Sequence, residues 1–332
     1  MEKRGATSHV PVAYSSAPPH PTRGYLLAAL AAACWAAGGL TAKWLFTMAG
    51  TTVEPAPLAG ARAVLATVML LAYLLLFRRR DLRVRVRDLP FLAAFGVLGL
   101  AMVHLSYFAA IQLTNVPTAI LLEYLAPVLV LIVSVLFLGE RMTWALPMGV
   151  ALSVTGCALM VGAFGGGLKV SAAGLAWGLA SACFFAGYTL MGKYAAPRFS
   201  PWTLLTYGLG FASIFWLLWL RGPAPIVGLL ADRRTFLAVG VMALVSTIIP
   251  FGAFLTALQH IEATKASITA TMEPVLAGVA SYLIPALYAP LGALQLLGGV
   301  LVIAAVMLVQ VPHMVGRYRT DRAAALELPP AG

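Results

Sequence analysis

Ten runs of apolar residues, each about 20 residues long, follow one another through most of the 332-residue chain. An α-helix needs a run of this length to cross the hydrocarbon core of a bilayer, which is about 30 Å thick. Apolar residues make up 61% of the sequence and charged residues 10%, against roughly 45–50% and about 25% in soluble domains. The pattern excludes a water-soluble core and predicts an all-α integral membrane protein with ten transmembrane helices. Their predicted limits are 25–46, 56–77, 89–113, 117–138, 143–163, 174–196, 202–220, 236–258, 263–286 and 290–311.

The positive charge of the chain is concentrated in one connection between helices. The formal net charge is +11, and six arginines lie between residues 78 and 88. A basic cluster between two apolar runs indicates a loop beside a membrane, so we expect no nucleic-acid partner. If the N-terminus is inside, fourteen of the 22 lysines and arginines fall on the cytoplasmic side and four on the other. The bias predicts a multi-pass protein of the cell inner (plasma) membrane with both termini cytoplasmic, although Arg233 and Arg234 oppose it.

The sequence contains an internal repeat. A shift of 147 residues brings Ala110, Gln112, Ala119, Pro127, Val128, Leu129 and Ser134 onto Ala257, Gln259, Ala266, Pro274, Val275, Leu276 and Ser281. Each copy has five predicted helices, and this odd number makes the second copy enter the membrane from the other side. Inverted repeats of this kind are typical of transporters. The predicted units are 25–163 and 174–311, with a disordered cytoplasmic tail at 1–24 and a second cytoplasmic tail at 312–332.

Several motifs carry a family resemblance. They are the run Leu138-Gly139-Glu140-Arg141 followed by Gly149 and Gly156, the prolines within helices 4 and 9, and Ala266-Ser267 with Glu273-Pro274-Val275. Together with the two five-helix units, they resemble the EamA family of the drug/metabolite transporter superfamily. The resemblance implies a ten-helix inner-membrane carrier, usually an exporter of amino acids, related metabolites or drugs. The second copy departs from the pattern, because Ala289 stands where the first copy has Glu140.

Two carboxylates lie deep in the predicted helices. Glu123 is roughly 9 Å from the outer face and Glu273 roughly 15 Å from the inner face, at 1.5 Å of rise per residue. Pro127 cannot donate to the carbonyl of Glu123, and Pro274 frees the carbonyl of Ala270, so both prolines are predicted hinges in broken helices. A charge at this depth is costly unless it has a partner, water or a function. We interpret both glutamates as substrate- or proton-binding residues; the alternative is that each only clasps a hydroxyl or a lysine of a neighbouring helix.

The surroundings of the two glutamates differ. Glu262, Lys265, Thr269 and Glu273 recur on one helical face, where ion pairs could satisfy Glu273 internally. Glu123 has no basic neighbour at helical spacing, so it needs water or another helix.

The hairpin of helices 3 and 4 places further candidates near Glu123. Phe108 lies level with Glu123, Tyr107 with Tyr124, and His104 about a turn deeper. An imidazole beside a carboxylate could move protons near neutral pH, although a single histidine is more often a packing residue. Tyr107, Tyr124 and His104 are therefore candidate binding residues.

Aromatic residues of helices 1 and 6 are also candidates. Trp35 and Tyr188, near Phe184 and Phe185, could contact a substrate or could serve as packing and interface anchors.

Basic and polar residues near the helix ends are interpreted as mouth residues, which means residues at either end of the transport pathway. The long side chains of Lys43 and Arg62 could snorkel to the interface, or could attract a substrate carboxylate. Lys193 and Lys265 lie at the inner face, where lipid headgroups are available. Gln259 and His260 are expected at the cytoplasmic mouth.

The sequence gives little support to an enzyme. It has no HExxH, GxSxG or Walker A motif, and Cys34, Cys157 and Cys183 form no CxxC pair, so we expect no cofactor and no metal. We predict a secondary transporter that exports a small amphipathic metabolite, such as an amino acid, by alternating access with protons as driver. An importer or exchanger of nucleotide-sugar-like substrates, and a channel or lipid scramblase without coupling, are the alternatives. Expected partners are a small-molecule substrate, membrane lipids and protons, and a homodimer is left open.

Overall fold

The structure of the protein is a computed structural model. It describes residues 20–48, 54–114, 116–163, 171–283 and 291–310, and within these ranges every regular element is a helix and none is a strand. The predicted tail at 312–332, and residues 1–19 of the predicted tail at 1–24, lie outside the described residues. The all-α fold class predicted from the apolar runs is confirmed.

Fifteen α-helices are described in these ranges. Two of their junctions are π-helical turns, Val97–Ala101 between α3 and α4 and Leu244–Ile248 between α11 and α12. The helices are α1 (Pro21–Met48), α2 (Pro55–Phe77), α3 (Leu89–Gly96), α4 (Met102–Leu113), α5 (Val116–Glu123), α6 (Ala126–Phe137), α7 (Ala145–Met160), α8 (Ala172–Ala195), α9 (Pro201–Trp219), α10 (Ala224–Leu230), α11 (Arg233–Ala243), α12 (Ile249–Ala257), α13 (Ala263–Ala270), α14 (Glu273–Leu283) and α15 (Ala293–Leu308).

Some of these helices join end to end, and we call each continuous or broken helix that crosses the membrane a rod. Six rods are long and apolar enough to cross a bilayer: Pro55–Phe77, Val86–Leu113, Thr118–Phe137, Ala172–Ala195, Pro201–Trp219 and Arg233–Ala257. With α1, the shorter apolar helices α7 and α15, and the broken pair α13 and α14, the described residues are compatible with the ten predicted spans. α1 begins at Pro21, four residues before its predicted start, and the short helix α10 was not predicted.

The internal repeat is visible in the irregular parts of the helices. The two π turns begin at Val97 and Leu244, which are 147 residues apart. The break between α5 and α6 at 124–125 recurs between α13 and α14 at 271–272, with the same spacing. A shift found from side-chain identities therefore also relates two kinds of backbone distortion.

Helix packing follows the same symmetry. α1 packs against α12 as α8 packs against α4, while α2 crosses α9 and α7 crosses α15. α7 and α15 approach closely at two glycines, because a Cβ on Gly156 would lie 2.7 Å from the carbonyl oxygen of Gly298. The two five-helix units are thus related by a pseudo-two-fold axis in the membrane plane.

One face of the molecule is identified by the connection at 78–88, and we call it the arginine-loop side. Two residues of α9 bind this connection: the Tyr207 hydroxyl donates to the Leu82 carbonyl over 2.8 Å, and the Thr203 hydroxyl donates to the Asp81 carbonyl over 2.7 Å. The start of α9 therefore lies on that side, and the antiparallel order of the rods places the starts of α1, α7 and α13 there too. The starts of α2, α5, α8 and α11 lie on the opposite side.

Candidate functional site

A cavity of about 200 Å³ lies between the two repeats. Most of its wall comes from the parts of α1, α2, α4, α5 and α11 that lie away from the arginine-loop side. The seventeen lining residues are Trp35, Gly38, Leu58, Arg62, Val103, His104, Tyr107, Phe108, Ile120, Glu123, Tyr124, Phe185, Met242, Ser246, Phe251, Ala270 and Glu273. The cavity thus combines an apolar, strongly aromatic wall with two acids, one arginine and one histidine.

Glu123 is the last residue of α5 and borders the first helix break. Its carboxylate accepts a hydrogen bond from the Ser181 hydroxyl of α8. Glu123 was predicted to need water or another helix as its partner, and a helix of the second repeat supplies that partner through a hydroxyl group. Pro127 occupies the second position of α6, just beyond the break, so the interruption lies where its missing N–H predicts it.

Glu273 is the first residue of α14 and borders the second break. It lines the same cavity, and the Tyr124 side chain of the first repeat lies close enough to interact with its carboxylate. The interpretation of Glu273 as part of a self-paired face is wrong, because the break at 271–272 separates it from the α13 face. On that face, Lys265 forms an ion pair with Glu262 instead.

The two carboxylates are not equivalent under the repeat. The residue 147 positions after Glu123 is Ala270, and the residue 147 positions before Glu273 is Ala126. Each break is therefore flanked by one glutamate. Glu123 precedes the break in the first repeat, and Glu273 follows the break in the second. Both are brought to one cavity, where each interacts with a hydroxyl group of the other repeat.

Arg62 lies in the wall of the cavity rather than at the membrane interface. Its Nη2 donates to the Thr247 hydroxyl over 3.1 Å and to the Ser246 carbonyl over 3.4 Å, both in the second π turn. The prediction that Arg62 snorkels to the interface is wrong, because its side chain crosses to α11 and α12 inside the protein. A π turn leaves backbone carbonyls without their usual α-helical partners, so it can hold a guanidinium.

His104 also lines the cavity, as predicted. Its Nδ1 donates to the Leu100 carbonyl over 2.8 Å, since a carbonyl can only accept. Nε2 is therefore the acceptor nitrogen of the neutral ring. Tyr107 and Tyr124 belong to the same wall, so the structure brings together the three residues that the hairpin placed near Glu123.

Trp35 and Tyr188 have different environments. Trp35 lines the cavity and contacts the ring of Phe251 with 5.4 Å between centroids. Tyr188 is fully buried outside the cavity lining, so its interpretation as a binding residue is corrected. It stands at the centre of an aromatic cluster that we call the aromatic plug: Phe95, Phe185, Tyr188, Phe251 and Phe254.

The cavity is closed on the arginine-loop side. Positions related by the repeat to Phe95, Phe251 and Phe254 of the plug carry Met242, His104 and Tyr107, which line the cavity. On the arginine-loop side α6 packs against α13, whereas their counterparts α14 and α5 barely touch. The two halves therefore adopt different packings, with space on the side opposite the arginine loop.

Two further residues predicted near the helix ends, Lys193 and Gln259, lie at the closed end. Lys193 is 8% exposed and donates to the carbonyls of Leu258 and Ile261 over 2.8 Å each, so it does not reach lipid headgroups as predicted. Gln259 donates to the Ala196 carbonyl over 3.4 Å. The Lys43 side chain lies outside the described part of the structure.

Some contributors to the site were missed by sequence reasoning. Ser181 and Ser246 are small hydroxyl residues in apolar helices and give no signal by themselves. Aligning the repeats marks them. The first helices of the two copies align with a shift of 149 residues, which brings Ala33-Cys34 onto Ala182-Cys183 and Ala32 onto Ser181, while the shift of 147 residues brings Gly99 onto Ser246. Within the described ranges, no group of three or more His, Cys, Asp and Glu side chains could hold a metal ion.

Comparisons with known proteins agree with this architecture. The model of the EamA-like transporter family matches residues 22–162 and again residues 172–311. An uncharacterized transporter of Archaeoglobus fulgidus is 32% identical over 70% of this chain and 79% of its own length. The pseudopaline exporter CntI of Pseudomonas aeruginosa is 29% identical over 67% of this chain and 74% of its own.

Two further similarities concern another named relative and the fold. A probable terminal-alkyne amino-acid exporter of Streptantibioticus cattleyicolor is 29% identical over 71% of this chain and 78% of its own. A solved crystal structure covers 87% of this chain and 97% of its own, with a TM-score of 0.73 and 20% sequence identity. At that identity the similarity shows a shared fold.

Proposed function

Since the chain belongs to the EamA-like transporter family, as its motifs predicted, we propose that it is a proton-driven exporter of amino acids or related small metabolites. It works by alternating access in the cell inner (plasma) membrane. The repeats at 25–163 and 174–311 are the two moving units, and the tails at 1–24 and 312–332 are cytoplasmic. A homodimer is an additional prediction, which the particle mass in detergent would test.

The observation that carries the proposal is the convergence of Glu123 and Glu273 on one cavity that is closed at one end. A carboxylate that loses water when the cavity closes favours its protonated form, and it favours the ionised form when water or a cationic group returns. The two acids can therefore hold a proton in one state and the ammonium group of an amino acid in another. This exchange would couple export to proton entry.

The closed end argues for a carrier. A channel needs a continuous water-filled path, but the aromatic plug packs tightly between the cavity and the arginine-loop side. Two relatives named as exporters, one of pseudopaline and one of a terminal-alkyne amino acid, support the direction and the substrate class. If the arginine loop is cytoplasmic, the cavity faces the outside.

Uptake into proteoliposomes tests the proposal. We expect reconstituted wild-type protein to concentrate at least one member of a panel of amino acids when a pH difference is imposed, and to fail when an ionophore removes that difference. Glu123→Gln keeps size and hydrogen bonding, so it is expected to insert normally, lose the pH-driven accumulation and retain exchange of substrate down its own gradient. Glu54→Gln is the matched control, because Glu54 is exposed at the start of α2.

The alternatives give different results. If Glu123 is only a structural clasp, Glu123→Gln lowers thermal stability and leaves coupling intact in the protein that folds. Continued accumulation against a gradient by Glu123→Gln would assign coupling to Glu273. Ion currents or lipid flipping without substrate accumulation in wild-type protein would contradict the proposed function.

A further inference from the structure

We propose that Arg62 and Ser246 form a subsite for the carboxylate of the transported molecule, separate from the carboxylates Glu123 and Glu273. The inference rests on the proposed function, because it names the group by which this cavity recognises its substrate. It concerns binding alone and does not depend on what drives transport.

The orientation of Arg62 is fixed by the protein. One of its terminal nitrogens, Nη2, is held by the hydroxyl of Thr247 and the carbonyl of Ser246. These bonds hold the guanidinium at the cavity wall. Because the side chain is already ordered, it loses less conformational entropy when a ligand binds. The Nε atom is buried and has no hydrogen-bond partner among the described residues.

A second unused donor lies beside it. The hydroxyl of Ser246 is also buried and also has no partner in the described part of the chain. Gly38 of α1 makes room for it, because a Cβ on Gly38 would lie 2.3 Å from the Ser246 hydroxyl oxygen. Gly38, Arg62 and Ser246 all line the cavity.

Two donors without partners in a buried place indicate an anionic ligand. A guanidinium removed from water is destabilising unless an acceptor, preferably a charged one, satisfies its N–H groups. The ion pairs seen among the described residues leave Arg62 without a carboxylate, since they are Arg78 with Asp81 and Lys265 with Glu262. A carboxylate of the bound molecule fits, because guanidinium and hydroxyl donors together suit its two oxygens.

The neighbouring residues favour an anion with a single negative charge. Glu123 and Glu273 share the cavity, and their negative charge opposes a phosphate dianion more than a carboxylate. A molecule with a carboxylate at one end and an ammonium at the other matches both regions. The aromatic wall, with Trp35 and Phe251, suits an apolar side chain between them.

The subsite exists once in the molecule. The repeat relates Arg62 to Leu209 and Ser246 to Gly99, so the equivalent place in the other half offers no donor side chain. There Tyr188 lies against Gly99, with its Cα 3.4 Å from the position of a Cβ on that glycine. Recognition of the carboxylate is therefore confined to one half of the transport pathway.

Three probes that share a phenyl group separate the two charges: phenylalanine, 3-phenylpropionate and phenethylamine. Their binding to the purified full-length protein in detergent is measured by thermal stabilisation, with no gradient present. We expect wild-type protein to be stabilised by all three probes. In Arg62→Gln, phenylalanine and 3-phenylpropionate are expected to bind about tenfold more weakly or worse, while phenethylamine binds as before.

Two further variants keep the test decisive. Ser246→Ala is expected to weaken the two carboxylate probes and leave phenethylamine unchanged, so it replaces Arg62→Gln if that variant does not fold. Arg234→Gln removes an exposed arginine outside the cavity and serves as the control.

Three results would overturn the proposal. They are wild-type protein that binds neither carboxylate probe, equal weakening of phenethylamine in Arg62→Gln, and inorganic phosphate that competes with 3-phenylpropionate at equal concentration. Failure of proton coupling in liposomes, with the binding pattern intact, would contradict the proposed driving force and leave the subsite supported.

Discussion

Thr67 of α2 and Ser213 of α9 share a hydrogen bond of 2.9 Å although they are 146 residues apart in the chain. That separation is one residue short of the 147-residue repeat shift, so the bond joins nearly equivalent positions of the two units. A bond between nearly equivalent positions lies close to the pseudo-two-fold axis. If the two units exchange conformations during transport, this contact is carried onto itself and persists in both states.

A cross-link on the axis is therefore expected to permit transport. In a background without Cys34, Cys157 and Cys183, a disulfide between cysteines introduced at Thr67 and Ser213 is expected to leave the rate of substrate exchange near that of the reduced protein. The measurement is exchange in proteoliposomes before and after oxidation, with reduction as the reversal control. Complete loss of exchange on oxidation would show that the α2–α9 crossing moves.

A cross-link away from the axis is expected to act differently. Glu140 and Thr264 join the α6–α7 connection to the start of α13 on the closed side. Cysteines at these two positions, joined by a short thiol cross-linker, are expected to block exchange by more than about tenfold, because α6 and α13 must separate for the cavity to open on that side. Unchanged exchange after complete cross-linking would contradict opening between these helices.

Glu140 also supports the local fold. Its Oε1 accepts from the Ala263 N–H over 2.6 Å and its Oε2 accepts from the Thr264 hydroxyl over 2.6 Å, so it caps α13 in place of the N-cap residue Glu262. We expect Glu140→Ala to destabilise the protein by about 1–2 kcal/mol, as for loss of a helix cap. Thermal unfolding in detergent checks this, with Glu54→Ala as control, since the Glu54 side chain makes no capping bond.

The pH dependence of stability provides a separate test of Glu140. Burial raises the pKa of this carboxyl above its ordinary value, more than the hydrogen bonds from Thr264 and Ala263 lower it. The folded state then holds the proton more tightly than the unfolded state, so the stability that this group confers is present below the ordinary pKa and is lost as pH rises through the raised value. We expect the melting temperature of wild-type protein relative to Glu140→Gln to fall as the pH is raised from about 4 towards neutral. A difference that stays constant over this range would contradict the burial effect.

Pro127 is predicted to act as a hinge. Replacing it with alanine supplies an N–H that can bond the carbonyl of Glu123 and join α5 to α6. Pro127→Ala is therefore expected to slow turnover several-fold while folding is unchanged or improved. Pro201→Ala at the first position of α9 is the control, because a proline at a helix start breaks no internal bond. Normal turnover in Pro127→Ala would remove the hinge role.

Orientation in the membrane can be tested with reporters that work only in the cytoplasm. We expect activity when the reporter follows Gly316 and silence when it follows Gly165. The reverse result would place the arginine loop outside, and the cavity would then face the cytoplasm.

The sequence predicted the parts of the site that stand out chemically. Glu123 and Glu273 are charges inside apolar runs, so their depth could be calculated from helix rise alone. Arg62 is also a charge in an apolar run, but its distance from the helix end could not show which way its side chain points. That direction depends on the π turn at Leu244–Ile248, for which the sequence contains no recognised signal.

Prediction from the repeat alone was also limited by divergence. Trp35 and Tyr188 lie on the corresponding helices α1 and α8, yet one lines the cavity and the other is buried in the aromatic plug. Their environments differ because the two units adopt different packings at the same time. A single sequence cannot specify which half is open, since this depends on contacts between units such as α6 with α13.

The unequal placement of the two glutamates also means that the two halves are not interchangeable. An antiparallel pair of first halves would carry Glu123 twice, but would offer Ala32 in place of Ser181 and Ala126 in place of Glu273. A pair of second halves would lack Glu123 altogether. Neither pairing of identical halves brings Glu123, Ser181 and Glu273 together, so the cavity needs one copy of each half.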